Sequence, residues 1–131
     1  MKISILLPYK ENYTSNNAGA VSLFVNDMNR ESAFKKTTQI FGNTSSENKL
    51  SKNYINLDLN KKIFQSTSKQ YVQTFLNYQK EINSDLIEIH NRPNYLKDLT
   101  NKLVNRSYVI YFHNDPLTMK GSKTVSERKE I

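Results

Sequence analysis

Twice in this chain a short apolar run stops at the same polar signature. Asp85-Leu-Ile-Glu-Ile-His90 runs into Asn91-Arg92-Pro93, and Tyr108-Val-Ile-Tyr-Phe112 runs into His113-Asn114-Asp115-Pro116. Runs of five or six β-branched and aromatic residues favour strands, and proline, which has no backbone donor, ends them. Between the two runs Pro93 suits the first turn of a helix, and Leu96, Leu99 and Leu103 recur at helical spacing. The order strand, helix, strand builds parallel sheets, and the uninterrupted run at 108–112 is expected to be a strand buried on both faces. Ligands of open α/β sheets bind at the carboxyl ends of the strands. If both strands share one sheet, His90 and His113 share one rim and reach one ligand.

The remaining segments fit the same architecture. Lys2 to Leu7 reads as a first strand stopped by Pro8, and Tyr9 to Asn17 as a polar, turn-prone loop. Ala18-Gly19-Ala20 opens a helix with Val21, Phe24, Val25 and Met28 on one face. Phe34 to Gly42 reads as a second strand, Asn43 to Asn53 as a mobile surface loop, and Tyr54 to Leu59, which alternates, as a half-buried strand. Ser68 is expected to cap a helix in which Tyr71, Phe75, Tyr78 and Ile82 recur, backed by Val72 and Leu76. Such aromatics could stack on nucleic-acid bases, but their i, i+4, i+7, i+11 spacing is that of a core-facing stripe. The fold expected is α/β: a Rossmann-like three-layer sandwich with a mainly parallel central sheet of about five strands, one domain over residues 1–131.

Charge narrows the partners. The 19 basic and 12 acidic residues leave a formal net charge of +7. Only Arg30, Arg92, Arg106 and Arg128 are arginines, the residue that phosphate and base-edge clamps favour, and the lysines fall in scattered pairs such as Lys35-Lys36 and Lys61-Lys62. A solvated surface is the reading, with attraction to anionic lipid or phosphate as the lesser one and no nucleic acid as partner. The absence of cysteine rules out disulfides and thiolate zinc sites and fits a reducing compartment. No apolar run approaches the roughly 18 to 20 residues of a membrane span, and the N-terminal apolar stretch is too short for a signal peptide. A cytoplasmic location is expected.

Each candidate site residue has two readings. A histidine at a strand end can simply bond a neighbouring loop, whereas two at equivalent strand ends point to a ligand. Metal ligation by His90, His113 and Asp115 lacks a local H-x-H or H-x3-H pairing, so no metal is expected. Arg92 could clamp a phosphate or carboxylate, or merely sit at a helix start. The small-residue turn at Ala18 and Gly19 could bring an anion to backbone amides at a helix N-terminus, or could be a turn and nothing more.

The strand, Ala18-Gly19-Ala20 turn and helix, followed by LIEIHNRP at 86–93 and YFHNDPLTMKGS at 111–122 with Ser126-Glu127-Arg128, resemble the N-terminal half of retaining GT-B glycosyltransferases. The resemblance is narrower to those of family four that build bacterial cell-surface polysaccharide or lipopolysaccharide. It implies an acceptor-side Rossmann-like domain, one half of a GT-B fold, with a C-terminal domain that supplies most nucleotide-sugar contacts and is missing from these residues. Val125 to Ile131 would then be an unfinished helix, and the chain a fragment or one partner of a split enzyme. His113 would stand near the transferred sugar as the catalytic histidine. His90, Arg92, Asn114 and Asp115 would line the substrate cleft, and Ala18 and Gly19 would face the donor phosphates or acceptor. No cofactor is implied beyond the nucleotide-diphospho-sugar donor. The acceptor would be a saccharide or lipid-linked, met with peripheral contact at the inner face of the cell membrane. The rival expectation is a self-contained, non-catalytic nucleotide- or anion-binding α/β module.

Overall fold

The computed structural model describes residues 1–44, 47–60 and 64–131; the Lys61-Lys62 pair lies outside them. In chain order the elements are β1 (Ile3–Leu6), α1 (Ala20–Glu31), β2 (Thr38–Gly42), β3 (Tyr54–Asn56), α2 (Thr67–Ile82), β4 (Leu86–His90), α3 (Leu96–Lys102), β5 (Ser107–Tyr111) and α4 (Val125–Lys129). The five strands form one parallel sheet in the order β3-β2-β1-β4-β5. The chain winds outward from β1 to β3 on one side and then from β4 to β5 on the other. This is the doubly wound, Rossmann-like α/β arrangement, with its switch point between β1 and β4. None of the helices among the described residues is long and apolar enough to cross a membrane.

Period-two alternation divides the core in two. Leu6, Phe41, Ile87 and Ile89 point to the face covered by α2 and α3, where they pack with Tyr71, Val72, Phe75, Leu76, Leu96 and Leu99. Ile3, Ile5, Leu7 and Ile40 point to the other face, against Val21 and Val25 of α1 and Tyr13 and Tyr54. Each fully buried aliphatic or aromatic side chain contributes about 1.5–3 kcal/mol. The first half of the α2 stripe is core, as its spacing implies: Phe75 meets Phe41 edge to face at 5.1 Å, and buried Tyr71 donates to the Leu7 carbonyl at 2.7 Å, while Ile82 is partly buried and Tyr78, though its ring meets Phe41, is exposed. A buried polar cluster fixes the far end of α2, where Gln79 Nε2 donates to Ser4 Oγ at 2.8 Å and Ser4 bonds Ser84 at 2.6 Å.

Several local expectations are corrected. The 108–112 run is not buried on both faces: β5 is an edge strand, Tyr108 and Ile110 pack on the α3 side, and on the other side Tyr111 is half-buried beneath Phe24 while Val109 is 37% exposed. In α1 the buried residues are Val21, Ser22, Val25 and Asn29, while Phe24 is 40% exposed. β2 starts at Thr38 rather than Phe34, because the Thr37 and Thr38 hydroxyls donate back to the Phe34 carbonyl and curl the chain into a 3-10 turn. β3 ends at Asn56 because its partner β2 ends at Gly42, although Leu57 stays buried. The α2 cap is Ser66, whose hydroxyl accepts from the Lys69 amide, and not Ser68. The described part of the 43–53 loop is tied to the 12–15 loop by Ser15 N to Asn48 O and Leu50 N to Tyr13 O, with Thr44 and Tyr13 buried.

Candidate functional site

The carboxyl ends of β4 and β5 come together as the repeated His-Asn-x-Pro signature implies. His90 pairs with Tyr111 in the strand register, and their rings stack at 4.9 Å. Two residues beyond Tyr111 the chain turns back, and His113 Nε2 lies 2.8 Å from His90 Nδ1. Asn91 makes this approach possible. It takes a left-handed conformation, φ 53°, which asparagine tolerates, and its Oδ1 accepts from the His113 amide at 2.8 Å while its own amide donates to the Tyr111 carbonyl. The asparagine of the first signature thus holds the histidine of the second.

His90 is fully buried and His113 partly so. Both rings lie on the α1 face of the sheet, where Phe24 meets His113 edge on at 4.9 Å. Glu88, two residues before His90 on the same face, places Oε2 3.7 Å from His90 Nε2, and neither atom has a hydrogen-bond partner. Burial lowers the His113 pKa below its ordinary value of 6.5; the neighbouring His90 lowers it further, and Glu11 partly offsets both. His113 is therefore a neutral imidazole at pH 7, able to accept or donate a hydrogen bond and not a fixed cation.

The small-residue turn belongs to the same edge but is already occupied. After β1 the chain turns at Pro8, where the Glu11 amide donates to the Pro8 carbonyl and Lys10 takes φ 65°. Glu11 Oε1 then accepts from the Ser22 amide in the first turn of α1 at 3.0 Å, and the Gly19 amide donates to the Asn12 carbonyl. A Cβ on Gly19 would lie 2.1 Å from Glu11 Oε1. The glycine makes room for a carboxylate of the chain itself, which takes the place an outside anion would need. Ala18, beside it, is partly exposed.

The remaining candidates are looser. Arg92 is exposed and its Nη1 donates to the Asn91 carbonyl at 2.7 Å, so its guanidinium is held beside the rim. Asp115 is exposed and its Oδ1 accepts from the Leu117 amide, capping the turn at Pro116–Thr118; Asn114 is exposed. His90 and His113 are in direct contact, with Gly19 and Glu11 nearby, while Asn114 and Asp115 run on past the rim. Glu88 and Glu11 were not singled out from sequence. The signal for Glu88 was there: a residue two before His90 in a strand must share its face. For Glu11, whose partners lie across a loop, no local pattern existed. Among the described residues no three His, Asp or Glu side chains converge as a metal site would require. No family model, curated protein or solved structure matches the chain. The chemistry of the rim itself must carry any reading of function.

Proposed function

We propose that these residues form the acceptor-side domain of a retaining sugar transferase, moving a sugar from a nucleotide-diphospho-sugar to a saccharide or lipid-linked acceptor. The observation that carries this reading is the bonded pair His90–His113 at the carboxyl edge of neighbouring parallel strands, one strand from the switch point. A neutral imidazole at His113 suits a hydroxyl-rich substrate, which needs directional acceptors and donors more than it needs charge. In the reaction the bond from the anomeric carbon to the leaving phosphate breaks and the bond to the acceptor oxygen forms on the same face. The acceptor proton passes to the departing phosphate oxygen. No strong protein nucleophile is called for in this reading. Its part is to bind and orient the sugar beside His113, with Arg92 at the margin.

In this reading a second domain supplies most donor contacts, and the +7 charge favours an anionic membrane surface where a lipid-linked acceptor would lie. The rival reading is a self-contained, non-catalytic nucleotide- or anion-binding module; the Glu11 carboxylate bonded to the start of α1 removes the Gly19 turn as an anion site for either reading. The test is transfer or nucleotide-diphosphate release from a panel of nucleotide sugars, run on the longest natural polypeptide containing these residues. His113→Ala should lower turnover by about 10- to 100-fold, between the loss of one neutral hydrogen bond and of one transition-state contact, with the thermal midpoint little changed. Unaltered turnover in that variant, or no nucleotide-sugar-dependent product at all, would refute it.

A further inference from the structure

The two orphaned atoms behind the histidine rim, Glu88 Oε2 and His90 Nε2, are buried and 3.7 Å apart, too close for a water to stand between them. A buried carboxylate oxygen that no hydrogen reaches carries an uncompensated desolvation cost, and the ring nitrogen 3.7 Å from it, His90 Nε2, can offer it one. We propose that Glu88 is a positioning residue that sets the direction of every hydrogen along Glu88, His90 and His113, so that His113 meets its ligand as a hydrogen-bond acceptor.

With one hydrogen on each ring, the arrangement leaves two ways to distribute them. In the first, His90 carries its hydrogen on Nε2 and aims it at Glu88. Its Nδ1 is then bare and accepts from His113 Nε2, and the hydrogen-free His113 Nδ1 is left for the ligand. In the second, His90 carries it on Nδ1 and donates to His113 Nε2, so His113 carries its own on Nδ1. That choice turns a bare Nε2 lone pair toward the Glu88 carboxylate, repelling it and leaving both buried atoms unsatisfied. The first is therefore favoured. His113 Nδ1 has no partner among the described residues and is not sealed from solvent. A group that brings its own hydrogen, a hydroxyl or an amine, fits it; a fully ionised phosphate oxygen does not. This rests on the reading of the rim as a sugar site only for the name of the ligand, not for the hydrogen positions.

The test reads those positions directly. In the full chain labelled with nitrogen-15 at histidine, long-range proton–nitrogen spectra at pH 7.5 should show both rings with hydrogen on Nε2. In Glu88→Leu the distribution should move toward Nδ1–H on both rings, while Glu88→Gln, which can still present a carbonyl to His90, should keep the wild-type pattern. Hydrogen on Nδ1 of His113 in the wild-type spectrum would overturn the proposal whether or not either variant folds. So would a Glu88→Leu spectrum identical to wild type. A chain that shows the expected tautomers but transfers no sugar would sink the functional reading and leave this one standing.

Discussion

At the scale of single residues the rim is defined by what each side chain is denied. His113 is denied full hydration and sits against His90, so its protonated form is penalised in the fold and its pKa lies below 6.5. The sign of the stability effect follows. The unfolded chain takes up the proton near pH 6.5, the folded chain only at lower pH, so acidification favours the unfolded state throughout that interval. Stability against urea should be level above pH 6.5 and should bend downward as the pH falls through the window below it. His113→Gln should lack that bend. Equal slopes for the two proteins between pH 6.5 and 5 would show that the imidazole environment described above is wrong. Asn91 shows the complementary case, a residue whose left-handed backbone and amide oxygen are both used, the first to turn the chain after β4 and the second to hold His113.

At the scale of elements, the start of α1 is where sequence and structure part company. A glycine before a helix reads as an opening for an anion, and the structure fills it with Glu11, eleven residues before the Ser22 amide it bonds. A double-mutant cycle separates the two readings. Gly19 has φ −71°, which alanine adopts freely, so Gly19→Ala should act only by pushing Glu11 off the helix start. The expected loss is about 1 kcal/mol, the worth of a helix cap. In a Glu11→Ala background the same change should cost nothing or slightly stabilise, since alanine also narrows the unfolded ensemble. Additive losses would mean that Gly19 serves something other than Glu11. The helices α1, α2 and α3 were legible because one buried face per helix leaves a period in the sequence, and the strands β1 and β4 because each is a short run, rich in apolar residues, stopped by a proline. Glu88 was passed over because a charge in an alternating strand looks the same whether its face meets water or a buried histidine. The run at 108–112 misled for the mirror reason: apolar residues on both faces of β5 do not say whether anything covers the second one.

At the scale of the whole molecule the two sides of the sheet are unequal, and that inequality predicts how the fold opens. One face carries α2 and α3 over the larger apolar cluster; the other carries, among the described helices, α1, whose Phe24 reaches the rim, and leaves Val109 and Phe24 over a third exposed there. β1 is buried at every residue and bonded to a strand on each side, whereas β5 has one neighbouring strand and no buried residue. α4 has no buried residue either, and is held by its own capping box of Thr124 with Glu127 and by Arg128 donating to the Ser122 and Lys123 carbonyls. Opening β5 therefore exposes little apolar surface, while opening β1 requires both layers to come apart. Amide hydrogen exchange should rank β1 and β4 slowest, at rates set by global unfolding, and β5 with the 113–131 segment faster by at least about 100-fold, a gap of roughly 2.7 kcal/mol in opening free energy. The rim spans this boundary, since His90 stands on the slow strand and His113 on the fast segment. A ligand that bridges the two rings should then slow exchange at β5 far more than at β1. Amides of β5 that exchange as slowly as those of β1 without ligand would mean that the exposed part of its second face, at Val109, is covered after all, and that the rim is held rigid from both sides.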